Sequence, residues 1–113
     1  MNAITTHILD DSKGCPARGV PVTLERQTGA DWEIVGKGAT DEDGRVRDLL
    51  DSEAILQAGN YRLNFDTGNY FSQQQIESFY PQVTVAFTVR DAAQHYHVPL
   101  LLSPFGYSTY RGS

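Results

Sequence analysis

The chain reads as an all-β protein, a two-sheet β-sandwich of about eight strands with one short helix. Three observations predict it. Apolar residues recur at a period of two rather than 3.6 in segment after segment. Glycine-bearing turn pairs (Lys13-Gly14, Thr28-Gly29, Asp43-Gly44, Thr67-Gly68) punctuate those segments at short intervals. The chain has 113 residues, of which 40% are hydrophobic and 20% charged, a globular balance in a length that suits a single domain spanning 1–113.

The elements follow in order. Thr5 to Asp10 is a first short strand candidate. Val20, Val22 and Leu24 alternate with Pro21, Thr23 and Glu25, which gives one apolar face. Trp32 to Gly38 and Arg45 to Leu49 are further short candidates. Asp51 to Ala58 reads differently: helix formers follow a possible N-cap at Asp51 or Ser52. Glu53 favours the positive end of the dipole, and Gly59 is placed for a C-terminal stop. Tyr61, Leu63 and Phe65 alternate with Arg62, Asn64 and Asp66. Val83, Val85, Phe87 and Val89 alternate with Thr84, Ala86 and Thr88. Gln94 to Leu101 and Tyr107 to Arg111 complete the series. Leu100, Leu101, Leu102, Phe105 and Tyr107 are more apolar side chains than one face can bury, so part of this stretch is expected to pack on another subunit.

Composition excludes several classes. A net charge of −5 argues against a nucleic-acid partner, which needs a basic face. No apolar run approaches the roughly 18 residues that cross a bilayer, so no membrane partner is expected. The N-terminus lacks a basic region followed by an apolar one, which makes a cytoplasmic location the expectation. The chain has one cysteine, Cys15, read as a reduced thiol in a turn. A Gly-x-Ser-x-Gly elbow, phosphate-binding loops, paired-cysteine zinc spacing and a dinucleotide fingerprint are all absent from the sequence.

Chemistry rests on few residues. The three histidines are His7, His95 and His97. Strand parity puts His95 and His97 on one face. Such a His-x-His pair with a third histidine could ligate zinc, serve acid–base chemistry, or simply lie on the surface. Arg45 follows Asp43-Gly44: it is either a solvated turn arginine or a fixed fork of donors aimed at a carbonyl or oxyanion.

Three blocks together resemble a known family. Thr6-His7-Ile8-Leu9-Asp10 with Gly14-Cys15-Pro16-Ala17 is similar to the first motif of the transthyretin-related proteins. Thr40-Asp41-Glu42-Asp43-Gly44-Arg45 resembles their second. The long run from His95 to Ser113, ending Tyr110-Arg111-Gly112-Ser113, resembles their third. The resemblance spans essentially the whole chain. The family has a carrier branch, transthyretin proper, and an enzyme branch, 5-hydroxyisourate hydrolase. The carrier branch lacks the residues matching His7, Arg45 and His97 and continues past the terminal tetrapeptide, so the resemblance implies the enzyme.

It further implies a homotetramer, a dimer of dimers, with sites at the dimer–dimer interface. The implied reaction opens 5-hydroxyisourate to 2-oxo-4-hydroxy-4-carboxy-5-ureidoimidazoline in urate degradation, with no cofactor and no metal. His7 and His97 would converge on the water, one as general base. Arg45 would clamp substrate oxygen, Tyr110 and Ser113 would bind polar edges of the ring, and His95 would support the site from outside. The competing expectations are a small-ligand carrier and a scaffold with no small-molecule site.

Overall fold

The computed structural model describes residues 3–51 and 54–113. Its strands are β1 (Ile4–Asp10), β2 (Cys15–Pro16), β3 (Pro21–Thr28), β4 (Asp31–Ala39), β5 (Arg45–Val46), β6 (Gly59–Phe65), β7 (Val83–Val89), β8 (Tyr96–Ser103) and β9 (Gly106–Thr109), with helix α1 at Thr67–Ser72. They form two sheets. One is ordered β4-β3-β6-β7; the other is β2-β1-β8-β9, with β5 also paired to β1. The two-sheet sandwich expected from the alternating segments is what the chain builds.

The period of two does the sorting. In β1 the even-numbered residues Ile4, Thr6, Ile8 and Asp10 are buried, while Thr5, His7 and Leu9 are half-exposed on the outer face. In β6, Tyr61, Leu63 and Phe65 are buried and meet Phe87, Val85 and Val83 across the antiparallel ladder. Ile8, Leu24, Leu49, Leu63, Phe65 and Leu100 are fully buried in one cluster between the sheets. Burying a side chain of that kind contributes roughly 1.5–3 kcal/mol. The surplus of apolar residues near the C-terminus divides. Leu100 and Leu102 enter the core, whereas Phe105 and Tyr107 stay 64% and 42% exposed.

The helix is not where the sequence placed it. From Ala54 to Ala58 the chain is irregular, and Ser52 and Glu53 lie outside the described residues. Side-chain bonding to the backbone overrides helix propensity there. The Tyr61 hydroxyl donates to the Gln57 carbonyl (2.8 Å) and accepts the Gln57 N–H (3.2 Å), a donor that a helix would have used itself. Helix α1 instead begins after Asp66, whose carboxylate accepts the Asn69 N–H at 3.3 Å as an N-cap. Thr67-Gly68, read as a turn, is its first turn.

Two smaller differences bear on the outer face. Cys15 and Pro16, read as a turn, pair with Asp10 and Leu9. The strand expected over Arg45 to Leu49 pairs only at Arg45 and Val46. Leu49 and Leu50 leave the ladder to enter the core, and the Leu49 backbone crosses so close to Gly36 that a Cβ there would lie 1.6 Å from the Leu49 oxygen.

Candidate active site

The centre of the β2-β1-β8-β9 sheet brings distant parts of the chain onto one outer face. β1 is flanked by β5 on one side and by β8, in parallel, on the other. In register, His7 faces Arg45 and Thr5 faces His97. Directly opposed residues in an antiparallel pair hold their Cβ atoms about 5 Å apart. His7 and Arg45 are therefore neighbours by backbone geometry alone.

Arg45 is set by its turn. Asp41 Oδ1 accepts the N–H groups of Asp43 (2.9 Å) and Arg45 (3.0 Å), and the Asp41 carbonyl accepts the Gly44 N–H at 3.0 Å. The Asp41 carboxyl is held below the usual carboxylate range, first by the Arg45 N–H. Gly44 has φ +75° and approaches β1 so closely that a Cβ would sit 2.4 Å from the Ile8 oxygen. Its carbonyl accepts the Ile8 N–H at 2.7 Å, which docks the turn onto β1. Thr40, buried just before, donates to the Ala17 carbonyl (2.6 Å) and accepts the Val20 N–H (2.9 Å).

His97 is gripped by both ends of the chain. Thr5 Oγ1 lies 2.8 Å from His97 Nδ1 and 3.2 Å from His95 Nε2. The two imidazoles are nearly parallel, with centroids 6.5 Å apart. The tail folds back over β8: the Gly112 N–H donates to the His97 carbonyl at 2.9 Å, and Thr109 Oγ1 donates to the Pro99 carbonyl at 2.7 Å. Arg111 stacks 4.6 Å over the Tyr96 ring and donates to Gln94 Oε1 at 2.9 Å.

These groups border a cleft of about 480 Å³ lined by Thr5, Thr6, Arg45, Arg47, Asp48, His95, His97 and Ser113. His7 stands beside Arg45 as its cross-strand partner. Of the residues singled out from sequence, His7, Arg45, His95, His97 and Ser113 thus come together. Tyr110 does not line this cleft. It borders a smaller groove of about 230 Å³ beside β7, with His97 forming part of both walls.

The electrostatics favour neutral imidazoles. Partial burial, and then the Arg45 guanidinium, hold the His7 pKa below its ordinary 6.5. The same two causes, with His7 and His95 adding to them, lower that of His97. At neutral pH both rings keep a lone pair and can accept a proton. A planar cation beside two neutral bases can polarise a carbonyl while a water is deprotonated.

Sequence reasoning passed over Thr5, Asp41, Arg47 and Asp48. Thr5 was findable, because it lies two residues before His7 and so shares its face. Asp41 stands in an Asp-x-Asp-Gly run, the composition of a side-chain-capped turn.

The profile of the HIUase/Transthyretin family matches residues 4–112. A probable 5-hydroxyisourate hydrolase from Caenorhabditis elegans is 50% identical over 111 residues, 98% of this chain and 82% of that protein. The structure of Klebsiella pneumoniae 5-hydroxyisourate hydrolase superposes with a TM-score of 0.86 at 38% identity, covering 99% of this chain and 100% of that one. Sea bream transthyretin in complex with thyroxine superposes with a TM-score of 0.91 at 34% identity, covering 98% and 95%. The strand order, the outer-face cluster and these matches over nearly the full length agree: the chain belongs to the HIUase/transthyretin family.

Proposed function

We propose that this chain is a hydrolase that opens 5-hydroxyisourate to 2-oxo-4-hydroxy-4-carboxy-5-ureidoimidazoline, a step of urate degradation. The observation that carries the reading is the convergence of His7, Arg45 and His97 from three adjacent strands, with both imidazoles biased towards their neutral form. The names of the relatives support it. One histidine takes the proton from the attacking water and the other orients it. Arg45 holds the substrate oxygen on which negative charge develops, a role worth about 3 kcal/mol for a well-placed donor. The ring nitrogen that leaves takes its proton back from the imidazolium. Ser113 binds a polar edge of the substrate from the cleft wall. Tyr110 does so only where the smaller groove meets His97. The mechanism as drawn uses no metal or cofactor.

The reading includes a homotetramer, a dimer of dimers with the cleft at the dimer–dimer interface, in the cytoplasm. An exposed aromatic cluster supports self-association. Tyr80 lies edge-on to Phe79 (4.9 Å) and to Tyr107 (5.1 Å), and Phe105, close to Tyr107 in sequence, is 64% exposed. No helix among the described residues is long and apolar enough to cross a membrane.

The second reading is a carrier of small apolar ligands, favoured by the backbone match to thyroxine-bound sea bream transthyretin. Three histidines and two arginines in or beside the cleft oppose it, since an apolar ligand leaves them desolvated and unpaired. The test uses urate oxidase to generate 5-hydroxyisourate in situ and follows its ultraviolet decay with this protein, with and without chelator. Fast, chelator-resistant decay is expected. Decay at the spontaneous rate would hand the lead to the carrier, to be tested by direct ligand titration.

A further inference from the structure

A histidine acting as a base must keep the correct nitrogen bare. Neutral imidazole carries its proton on either nitrogen, and the partner of one nitrogen decides the state of the other. For His97 the surroundings decide it. Nδ1 is 2.8 Å from Thr5 Oγ1. The opposite edge of the ring is backed by Gly112, where even a methyl group would come within 2.6 Å of Cδ2 and 3.3 Å of Cγ. The Cε1–Nε2 rim is what remains to face substrate.

Thr5 can serve both neighbouring histidines at once. A threonine hydroxyl has one proton to give and two lone pairs. For Nε2 of His97 to be the bare nitrogen, His97 Nδ1–H must donate to Oγ1, which leaves Oγ1–H to donate to His95 Nε2, 3.2 Å away. The near-parallel stacking of the two rings places both nitrogens around this one oxygen.

Resting on the hydrolase reading, we infer that Thr5 is a positioning residue: its hydroxyl bridges His95 and His97, holds the proton of His97 on Nδ1, and leaves Nε2 bare as the nitrogen that works on the water. Thr5 itself touches no reacting atom. The role also assigns work to His95, which fixes the direction of the Thr5 hydroxyl.

Imidazole nitrogen chemical shifts test this without reference to activity. In the 15N-labelled full chain at pH 8, His97 is expected to show a protonated Nδ1 and a bare Nε2. A protonated Nε2 in the wild type would overturn the inference directly. Thr5→Val keeps the β-branched shape that suits the strand; it is expected to give a mixture of tautomers and a kcat lower by about 10- to 100-fold, the usual cost of losing an orienting partner. KM should change little. Thr5→Ser restores the hydroxyl and should recover most of kcat and the single tautomer. A Thr5→Val protein with wild-type kcat and an undisturbed Nδ1–H would refute the role. A wild type that does not hydrolyse 5-hydroxyisourate, yet shows the locked tautomer and loses it in Thr5→Val, would leave the positioning intact and remove only the hydrolase reading.

Discussion

Adding a single methyl group at the tail should slow the reaction more than most core substitutions would. In Gly112→Ala the new Cβ would lie 2.6 Å from His97 Cδ2 and 3.1 Å from Pro99 Cγ, where comfortable contact begins near 3.4 Å. With the tail held by the Gly112 N–H to the His97 carbonyl, relief of the clash requires the His97 ring to retreat by about 0.8 Å. A misplacement of about 1 Å in a reacting group costs on the order of 10²-fold, or about 2.7 kcal/mol of barrier. The expectation is a kcat lower by about that factor, with an unchanged melting temperature, since the last three residues contribute no apolar side chain to the core. The assay is the ultraviolet decay of enzymatically generated 5-hydroxyisourate, run beside nitrogen shifts of the His97 ring. Displaced ring resonances with kcat within about threefold of wild type would show that ring placement does not limit turnover, and the reasoning would fail. Unmoved resonances with full activity would show that the tail yields instead, and Gly112 would lose its role as a backing.

Arg45→Met keeps the length of the side chain and removes its charge. It should lower kcat/KM by about 10²–10³-fold if the guanidinium holds the developing oxyanion. The same change has a consequence for pH. Arg45 helps to hold both histidines below 6.5, and a base works only above its own pKa, so wild-type activity is lost as pH falls through a limb below 6.5. In Arg45→Met that limb should move to higher pH; a limb at the wild-type position would break the link between Arg45 and the histidines. His97→Asn should reduce turnover by about 10² or more while size-exclusion behaviour is retained, and a near-normal rate would remove His97 from the chemistry. Leu63→Ala, at a fully buried position in β6, should cost about 2–5 kcal/mol of stability in denaturant titrations and leave kcat unchanged at low temperature.

What could be read from the sequence was whatever depends on periodicity. Val83 to Val89 appears as written because every second side chain enters the core, and that rule is local. The helix failed because a side chain competed for its backbone, and periodicity does not register that. The Gln57 backbone is taken by a hydroxyl four residues on, while the true helix relies on Asp66, a residue that the period-two reading had assigned to the end of a strand. The site divides along the same line. His7, Arg45 and His97 could be named from motifs, and Thr5 belongs with them by parity. Nothing in the spacing showed that Thr5 and His97, 92 residues apart, would share a hydrogen bond, because that depends on the parallel pairing of β1 with β8. Tyr110, grouped with Ser113 through the terminal tetrapeptide, lies just past the end of β9 and lines another groove.

The parallel pairing of β1 with β8 also bears on how the protein is made. A ribosome makes β1 before β8, so until β8 emerges β1 has only the two-residue β2 and β5 to pair with. The other sheet, β4-β3-β6-β7, has all its strands by Val89 and can close while translation continues. A half-made chain would then carry one finished sheet and an unsatisfied strand bearing His7, with Ile4 and Ile8 uncovered, the kind of edge that invites association with other nascent chains. Activity and protection from aggregation would arrive together, at the moment β8 slots in beside β1.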